Sequence, residues 1–218
     1  MDYAIQRKNM VESQVRPSDV TDRRIIRAML DLPRERFVPE RVQGLAYMDG
    51  PVQIGAAPRR SLLSARVFAK LVQAADIEPS GVVLDVGSAT GYSAAVLSHL
   101  AGRVVALESD PAMVSLAKES LQTLGIANVM LVQGDLAQGW PTEGPFDAIL
   151  IEGAVEAVSR ELLDQLKDGG RLVAIVRSGN SGRATVWSRD GSTFGTAEIF
   201  DATADVLPGF EKAHAFAF

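Results

Sequence analysis

The stretch "VLDVGSATGYS", Val83 to Ser93, decides how the rest of the chain is read. It passes from an apolar strand-like run into a turn of small residues and then into a helical run with Tyr92, Ala95, Val96 and Leu100 on one side. Strand, tight turn and helix in that order open a βαβ unit, and such a turn is where open α/β sheets hold nucleotide-type ligands. Downstream the alternation continues. "RVVALE" reads as a strand ending at Glu108, and Asp110-Pro111 as the N-cap and first turn of a helix reaching Gly125. "NVMLVQGD" and "FDAILIEG" are further strands, residues 157–167 a helix stopping at Gly169-Gly170, and "RLVAIVR" a fifth strand. The strands are apolar throughout rather than alternating, as expected of a parallel sheet covered on both faces. "ATVWSRDGSTFGTAEIF" places Asp190-Gly191 between two strand-like runs and predicts an edge hairpin. Residues 1–60 read as helices and loops. Ile25, Ile26, Met29 and Leu30 recur with helical spacing, and Pro33 ends that helix.

The fold expected is therefore α/β: a doubly wound, mostly parallel, Rossmann-like sheet with an antiparallel C-terminal hairpin and an N-terminal helical segment. A single domain is expected over residues 1–218, with 1–80 as the helical segment and 81–218 as the core.

Composition narrows the function. Of 218 residues 47% are hydrophobic, and there is no cysteine. That excludes disulfides, zinc–thiolate sites, iron–sulfur clusters and cysteine nucleophiles, and leans towards a reducing, cytoplasmic setting. The first ten residues hold Asp2, Arg7 and Lys8, so no signal peptide is expected, and no apolar run approaches the ~18 residues that span a bilayer. Residues 1–60 carry a net +3 and the remainder −8. An acidic chain without a basic, aromatic-rich stripe is not expected to bind nucleic acid.

The turn selects the ligand. A dinucleotide fingerprint needs glycines at its first, third and sixth places, which here are Gly87, Ala89 and Tyr92. A phosphate-cradling loop needs Gly-Lys-Ser/Thr, which is absent. The acidic-x-Gly-x-Gly-x-Gly pattern of S-adenosylmethionine (SAM) sites fits as Asp85-x-Gly87-Ser88-Ala89-x-Gly91 with one substitution. Small residues let the backbone approach the ligand, and Ala89 serves provided its φ stays negative. Asp85 can then meet the amino-acid ammonium. Glu108, about 20 residues on, can accept the ribose hydroxyls. Asp135, flanked by Gly134 and Leu136, can accept from the adenine amino group.

With these residues in view, the chain resembles the protein-L-isoaspartate O-methyltransferase family over roughly residues 9–175. "NMVESQVRPSDVTDRRIIRAMLDLPRERFVPE" is similar to its N-terminal segment, "AYMDGPVQIG" to its Ala-Tyr-x-Asp-x-Pro-Leu-x-Ile-Gly stretch, and "GPFDAIL" and "QLKDGGRLVAIV" to its later strands. The resemblance implies methyl transfer from SAM, leaving S-adenosylhomocysteine, to the carboxylate of isoaspartyl residues in damaged protein. It makes residues 1–80 the substrate side, and implies a monomer or weak homo-oligomer. No catalytic base is needed, because a carboxylate of pKa ~4 is already ionised at neutral pH. His99 in the helix after the turn and His214 in the tail are no better placed to serve as one. The enzyme has to align the reacting atoms and exclude water.

Departures cluster on the acceptor side. Where the family has Gly-x-Thr-Ile-Ser-x-Pro, this chain has "GAAPRRSLLS". Ser61 falls on the family serine near the reacting centre, with Ser64 a rival, and Arg59 and Arg60 could pair with a substrate carboxylate. Gly134-Asp135-Leu136 replaces Gly-Asp-Gly, and Ile151-Glu152-Gly153-Ala154 replaces Val-Thr-Ala-Ala. Two alternatives stay open: a SAM-dependent methyltransferase with another acceptor, and a non-catalytic SAM-binding protein.

Overall fold

The computed structural model describes residues 2–56 and 59–211, so His214 lies outside the described residues. The N-terminal segment runs through α1 (Tyr3–Met10), a π turn (Val11–Val15) and α2 (Arg23–Asp31). Asp2 and Asp22 cap the two helices with side-chain oxygens that accept backbone N–H bonds. Helix α2 ends at Leu32, before Pro33, and buries Ile25, Ile26 and Met29. The expected loop after it contains a hairpin, β1 (Val52–Ala56) and β2 (Arg59–Leu62), paired Val52↔Leu62, Gln53↔Ser61 and Gly55↔Arg60. The reading of residues 1–60 as helices and loops is corrected there. The apolar–polar–apolar alternation Val52-Gln53-Ile54 is what buries one face of this hairpin in the core.

The core follows as α3 (Ala65–Ala74), β3 (Val82–Val86), α4 (Tyr92–Ser98), β4 (Arg103–Glu108), α5 (Pro111–Thr123), β5 (Val129–Gln133), β6 (Phe146–Val155), α6 (Arg160–Leu163), β7 (Leu166–Ser178), β8 (Ser181–Asp190) and β9 (Thr193–Asp201). The seven-stranded sheet has the order β5-β4-β3-β6-β7-β8-β9. Strands β3 to β7 pair parallel; β8 and β9 are antiparallel. Crossovers leave β3 for one side through β4 and return on the other at β6, so the order reverses between β3 and β6. That switch point is where such sheets open a crevice beyond the strands' carboxyl ends. The helix expected over 157–167 is a single turn. Leu166 already pairs with Phe146, so its segment is strand.

Alternate residues of each central strand feed two cores. Val83, Val104, Ala106, Leu150 and Val173 join the face covered by α3, α4 and the N-terminal helices. Leu84, Val86, Leu107, Ile149 and Leu172 join the opposite face with Leu207 and Phe210. Residues 202–210 fold back along the end of β6: Ala154 N–H donates to Asp205 O (2.9 Å) and Leu207 N–H to Ala154 O (2.9 Å). This return carries Asp205 and Leu207 to the switch point. No helix among the described residues is long and apolar enough to cross a membrane.

Candidate active site

The turn after β3 holds three left-handed residues in five: Gly87 (φ +77°), Ala89 (φ +51°) and Gly91 (φ +92°). The expectation of negative φ at Ala89 is corrected. A left-handed alanine costs about 1–2 kcal/mol, and its N–H is held there by donating to Glu108 Oε2 at 2.8 Å. The glycines cannot be replaced so readily. A Cβ on Gly87 would stand 2.7 Å from Leu207 Cδ1, and one on Gly91 3.0 Å from Ala117 Cβ.

The parallel register carries the acidic residues to one rim. Asp85 lies level with Ala106, one strand away from Glu108, which pairs with Gln133 at the end of β5. Asp85 is fully buried. Its Oδ2 accepts from Ser93 Oγ at 2.7 Å, and Oδ1 has no partner among the described residues. Burial chiefly, with repulsion from Glu108, pushes its carboxyl up to about 7 against the lowering effect of Ser93. Glu152 on β6 lies behind it with an equally sealed Oε1, and burial followed by the charge of Asp85 raises it well above the ordinary range. Ser88 Oγ is a third buried, unpartnered polar atom on the turn.

Glu108 behaves oppositely. Burial alone would raise its pKa, but hydrogen bonds and the charge of Arg60 hold it below the ordinary value. Arg60 grips both oxygens, Nη1 to Oε1 at 2.9 Å and Nη2 to Oε2 at 2.7 Å, and Nη2 also donates to Gly87 O at 3.1 Å. The N–H groups of Ala89, Ser109 and Asp110 complete the cradle. Asp135, the third acidic candidate, is exposed and caps the short turn Leu136–Gln138 by accepting from Ala137 N–H at 3.0 Å. Gly134 lies against the Trp140 ring, and Leu136 is buried on the second core.

On the acceptor side, a cavity of about 260 Å³ is lined by Arg59, Ser61, Ser64, Glu152, Thr203 and Asp205 among others. Ser61 Oγ donates to Asp205 Oδ2 at 3.1 Å, and Arg59 Nε pairs with the same oxygen at 3.3 Å. Ser64 is the N-cap of α3, accepting from Val67 N–H at 3.4 Å. Arg60 lines this cavity beside Arg59, as expected, but its guanidinium is engaged by Glu108. Beneath the cavity Arg34 is buried, donating to Ala46 O and Leu63 O with its guanidinium over the Tyr92 ring at 4.6 Å.

Three buried oxygens without partners among the described residues, on Asp85, Ser88 and Glu152, are acceptors that a ligand's ammonium would satisfy, so the amino-acid end of SAM fits. At the ribose end the acceptor has the right chemistry, but Arg60 holds it, while Leu207 fills the space against Gly87. Glu152 was visible in the sequence only as a departure from a pattern. Asp205 and Leu207 had no local signal at all, because the chain return along β6 is what places them.

The protein-L-isoaspartate(D-aspartate) O-methyltransferase family model matches residues 5–199. A protein-L-isoaspartate O-methyltransferase of Anaeromyxobacter sp. (strain Fw109-5) is 43% identical over 168 residues, covering 77% of this chain and 68% of the relative. One from Methanoculleus marisnigri is 37% identical over 171 residues, covering 78% and 77%. Among solved structures, a protein-L-isoaspartate O-methyltransferase superposes with a TM-score of 0.83 at 24% identity, over 93% of this chain and 66% of that one. With the fold, the turn and the sequence likeness in agreement, the chain belongs to the protein-L-isoaspartate O-methyltransferase family of SAM-dependent protein-repair enzymes.

Proposed function

We propose that this chain transfers the SAM methyl group to the free carboxylate of an isoaspartyl residue in a protein or peptide, using the rim formed by β3, β4 and β6. The observation that carries the reading is the placement of Asp85 and Glu108 at adjacent strand ends around the left-handed turn. A Plasmodium falciparum structure assigned to the same activity, similar to this chain at a TM-score of 0.78 and 18% identity, is in complex with S-adenosylhomocysteine.

When bound, SAM supplies an electrophilic methyl on its sulfonium. The chain's part is to bind, orient and exclude water. Asp85, with Ser88 beside it, holds the ammonium. Glu108 takes the ribose hydroxyls, Asp135 between Gly134 and Leu136 takes the adenine amino group, and Gly87, Ala89 and Gly91 shape the turn. Ser61 and Arg59 face the acceptor, with Ser64 fixing the start of α3 behind them. No residue has to remove a proton from an acceptor that is already a carboxylate. The whole chain acts as one unit, residues 1–80 supplying the acceptor side and 81–218 the cofactor side, as a monomer or weak homo-oligomer. A cytoplasmic setting suits a chain with no cysteine to pair.

The test is S-adenosylhomocysteine release from SAM with an isoaspartyl peptide and with its aspartyl isomer. Turnover with the first alone is expected, and turnover with neither would overturn the reading. The carboxyl of Glu152 on the cavity wall favours a second reading, a different acceptor. SAM turnover on an amine-bearing peptide but not on the isoaspartyl one would select it.

A further inference from the structure

Glu108 has no acceptor capacity left for a ribose. A carboxylate offers about four lone-pair positions. Oε1 already accepts from Arg60 Nη1, Ser109 N and Asp110 N at 2.8–3.0 Å and from Ser109 Oγ at 3.2 Å, and Oε2 from Arg60 Nη2 and Ala89 N at 2.7 and 2.8 Å. The backbone donors belong to the fold of the turn and of the start of α5. Two side-chain donors can rotate away: Ser109 Oγ, at 3.2 Å from one oxygen, and Arg60, which covers both. Its guanidinium presents two parallel N–H groups to two carboxylate oxygens, the same pattern that the two neighbouring hydroxyls of a ribose present.

Its position is built, not incidental. Arg60 and Glu108 are both almost completely buried, at 4% and 0% side-chain exposure. Arg60 also bonds the carbonyl of Gly87, the residue whose missing side chain would let a ligand come close. The hairpin that carries Arg60 is tied down a second time by Asp205, which pairs with Arg59 and accepts from Ser61. Sequence neighbours thus reach two different anchors, one inside the cofactor crevice and one at its mouth.

We infer that Arg60 is a built-in competitor for the cofactor: its guanidinium takes the place of the ribose diol on Glu108, and SAM binds only when Arg60 lets go. The inference rests on the proposed SAM site and adds the residue that sets its affinity. When the competent state is a minor fraction, apparent affinity falls by that fraction, so a site held shut nine-tenths of the time or more loses roughly tenfold or more.

Calorimetric titration with S-adenosylhomocysteine tests it on the full chain and on Arg60→Met, each checked by thermal melting. The variant is expected to bind at least about tenfold more tightly. Adding Glu108→Gln to Arg60→Met should erase that gain, because an amide keeps only one acceptor oxygen. Arg60→Lys, whose single amine cannot cover both oxygens, should show a smaller gain and serves if Arg60→Met does not fold. Equal or weaker binding by the folded variants, or no binding by any of them, overturns the competitor. The two readings fail separately. Tight binding by Arg60→Met without methyl transfer to isoaspartyl peptide would leave the competitor standing and remove the acceptor. Turnover by the unmodified chain with affinity equal to the variant's would do the reverse.

Discussion

Replacing Asp85 by Asn should stabilise the protein, and by more as the pH rises. Asp85 is buried, one oxygen has no partner among the described residues, and its carboxyl is pushed up to about 7 from an ordinary 3.8. The sign follows from where the proton sits. Below pH 3.8 the group is protonated in both the folded and the unfolded chain and costs nothing. Between 3.8 and about 7 the unfolded chain releases the proton while the folded chain keeps it, so stability falls with rising pH. Above about 7 both are ionised and the cost is constant. At 1.36 kcal/mol per pH unit, the penalty is about 1.6 kcal/mol at pH 5 and about 4 kcal/mol at pH 8.5. Asn keeps an oxygen to accept from Ser93 and removes the charge. Its advantage over the unmodified chain should therefore grow by about 3 kcal/mol between those two pH values.

Urea unfolding of both proteins at pH 5 and pH 8.5 measures this directly. Glu152 is present in both proteins, but the charge of Asp85 helps to raise it, so removing that charge adds to the variant's advantage in the same direction. An advantage that is the same at both pH values would refute the reasoning, since it would mean that Asp85 is charged in the folded state throughout. The same titration has a consequence for binding. A neutral Asp85 cannot hold an ammonium, so a ligand that brings one must pull the carboxyl into its ionised form.

Ala89→Gly should raise stability by about 0.5–1 kcal/mol: relief of a left-handed alanine, about 1–2 kcal/mol, exceeds the added chain entropy of glycine. A lower melting temperature for the variant would contradict the strain. Arg34→Met should cost about 3 kcal/mol, because it strands two buried carbonyls, Ala46 O and Leu63 O, and removes the cation from the Tyr92 ring. A loss below about 1 kcal/mol in urea unfolding would show that water or a neighbour takes over those bonds.

What the sequence made legible was local. Asp110-Pro111 reads as a cap and first turn because both roles depend on adjacent residues, and the structure has them so, with Asp110 accepting from Ala112 N–H at 2.8 Å. Apolar strands alternating with helices imply a parallel sheet, and the Asp190-Gly191 turn marks the antiparallel edge. The hairpin at Val52–Leu62 was less visible, since three alternating residues before a glycine are a weak strand signal and the resemblance drew attention to its serines instead. The supposed helix over 157–167 failed for a different reason. Leu162, Leu163 and Leu166 have helical spacing, but Leu166 is claimed by the edge of Phe146 on β6, and sheet pairing wins over local propensity. At the site, the residue types at three strand ends were readable, but not what they touch. Arg60 and Glu108 are 48 residues apart, and Ser61 and Asp205 are 144 apart. Nothing in either neighbourhood says that an arginine will turn inward.

Charge accounting ties these features together. The crevice gathers three carboxyl groups, Asp85, Glu108 and Glu152, and among the described residues the cation that reaches any of them with direct hydrogen bonds is Arg60, which gives both arms to Glu108. Arg34 is near enough to lower Glu152 slightly, but its hydrogen bonds go to backbone carbonyls. With its charge balanced, Glu108 stays ionised, while Asp85 is left with burial and the repulsion of Glu108, and Glu152 with burial and the charge of Asp85, which favour the neutral acid. A ligand carrying an ammonium reverses that arrangement. It supplies the charge that Asp85 and Glu152 lack, while its hydroxyls replace the guanidinium on Glu108 without replacing the charge. Opening the site therefore exchanges one cation at the ribose end for one at the amino-acid end. On the proposed SAM site, the closed turn and the raised carboxyl groups are two sides of a single arrangement, with Arg60 on the ribose acceptor and Asp85 and Glu152 protonated beside the ammonium position.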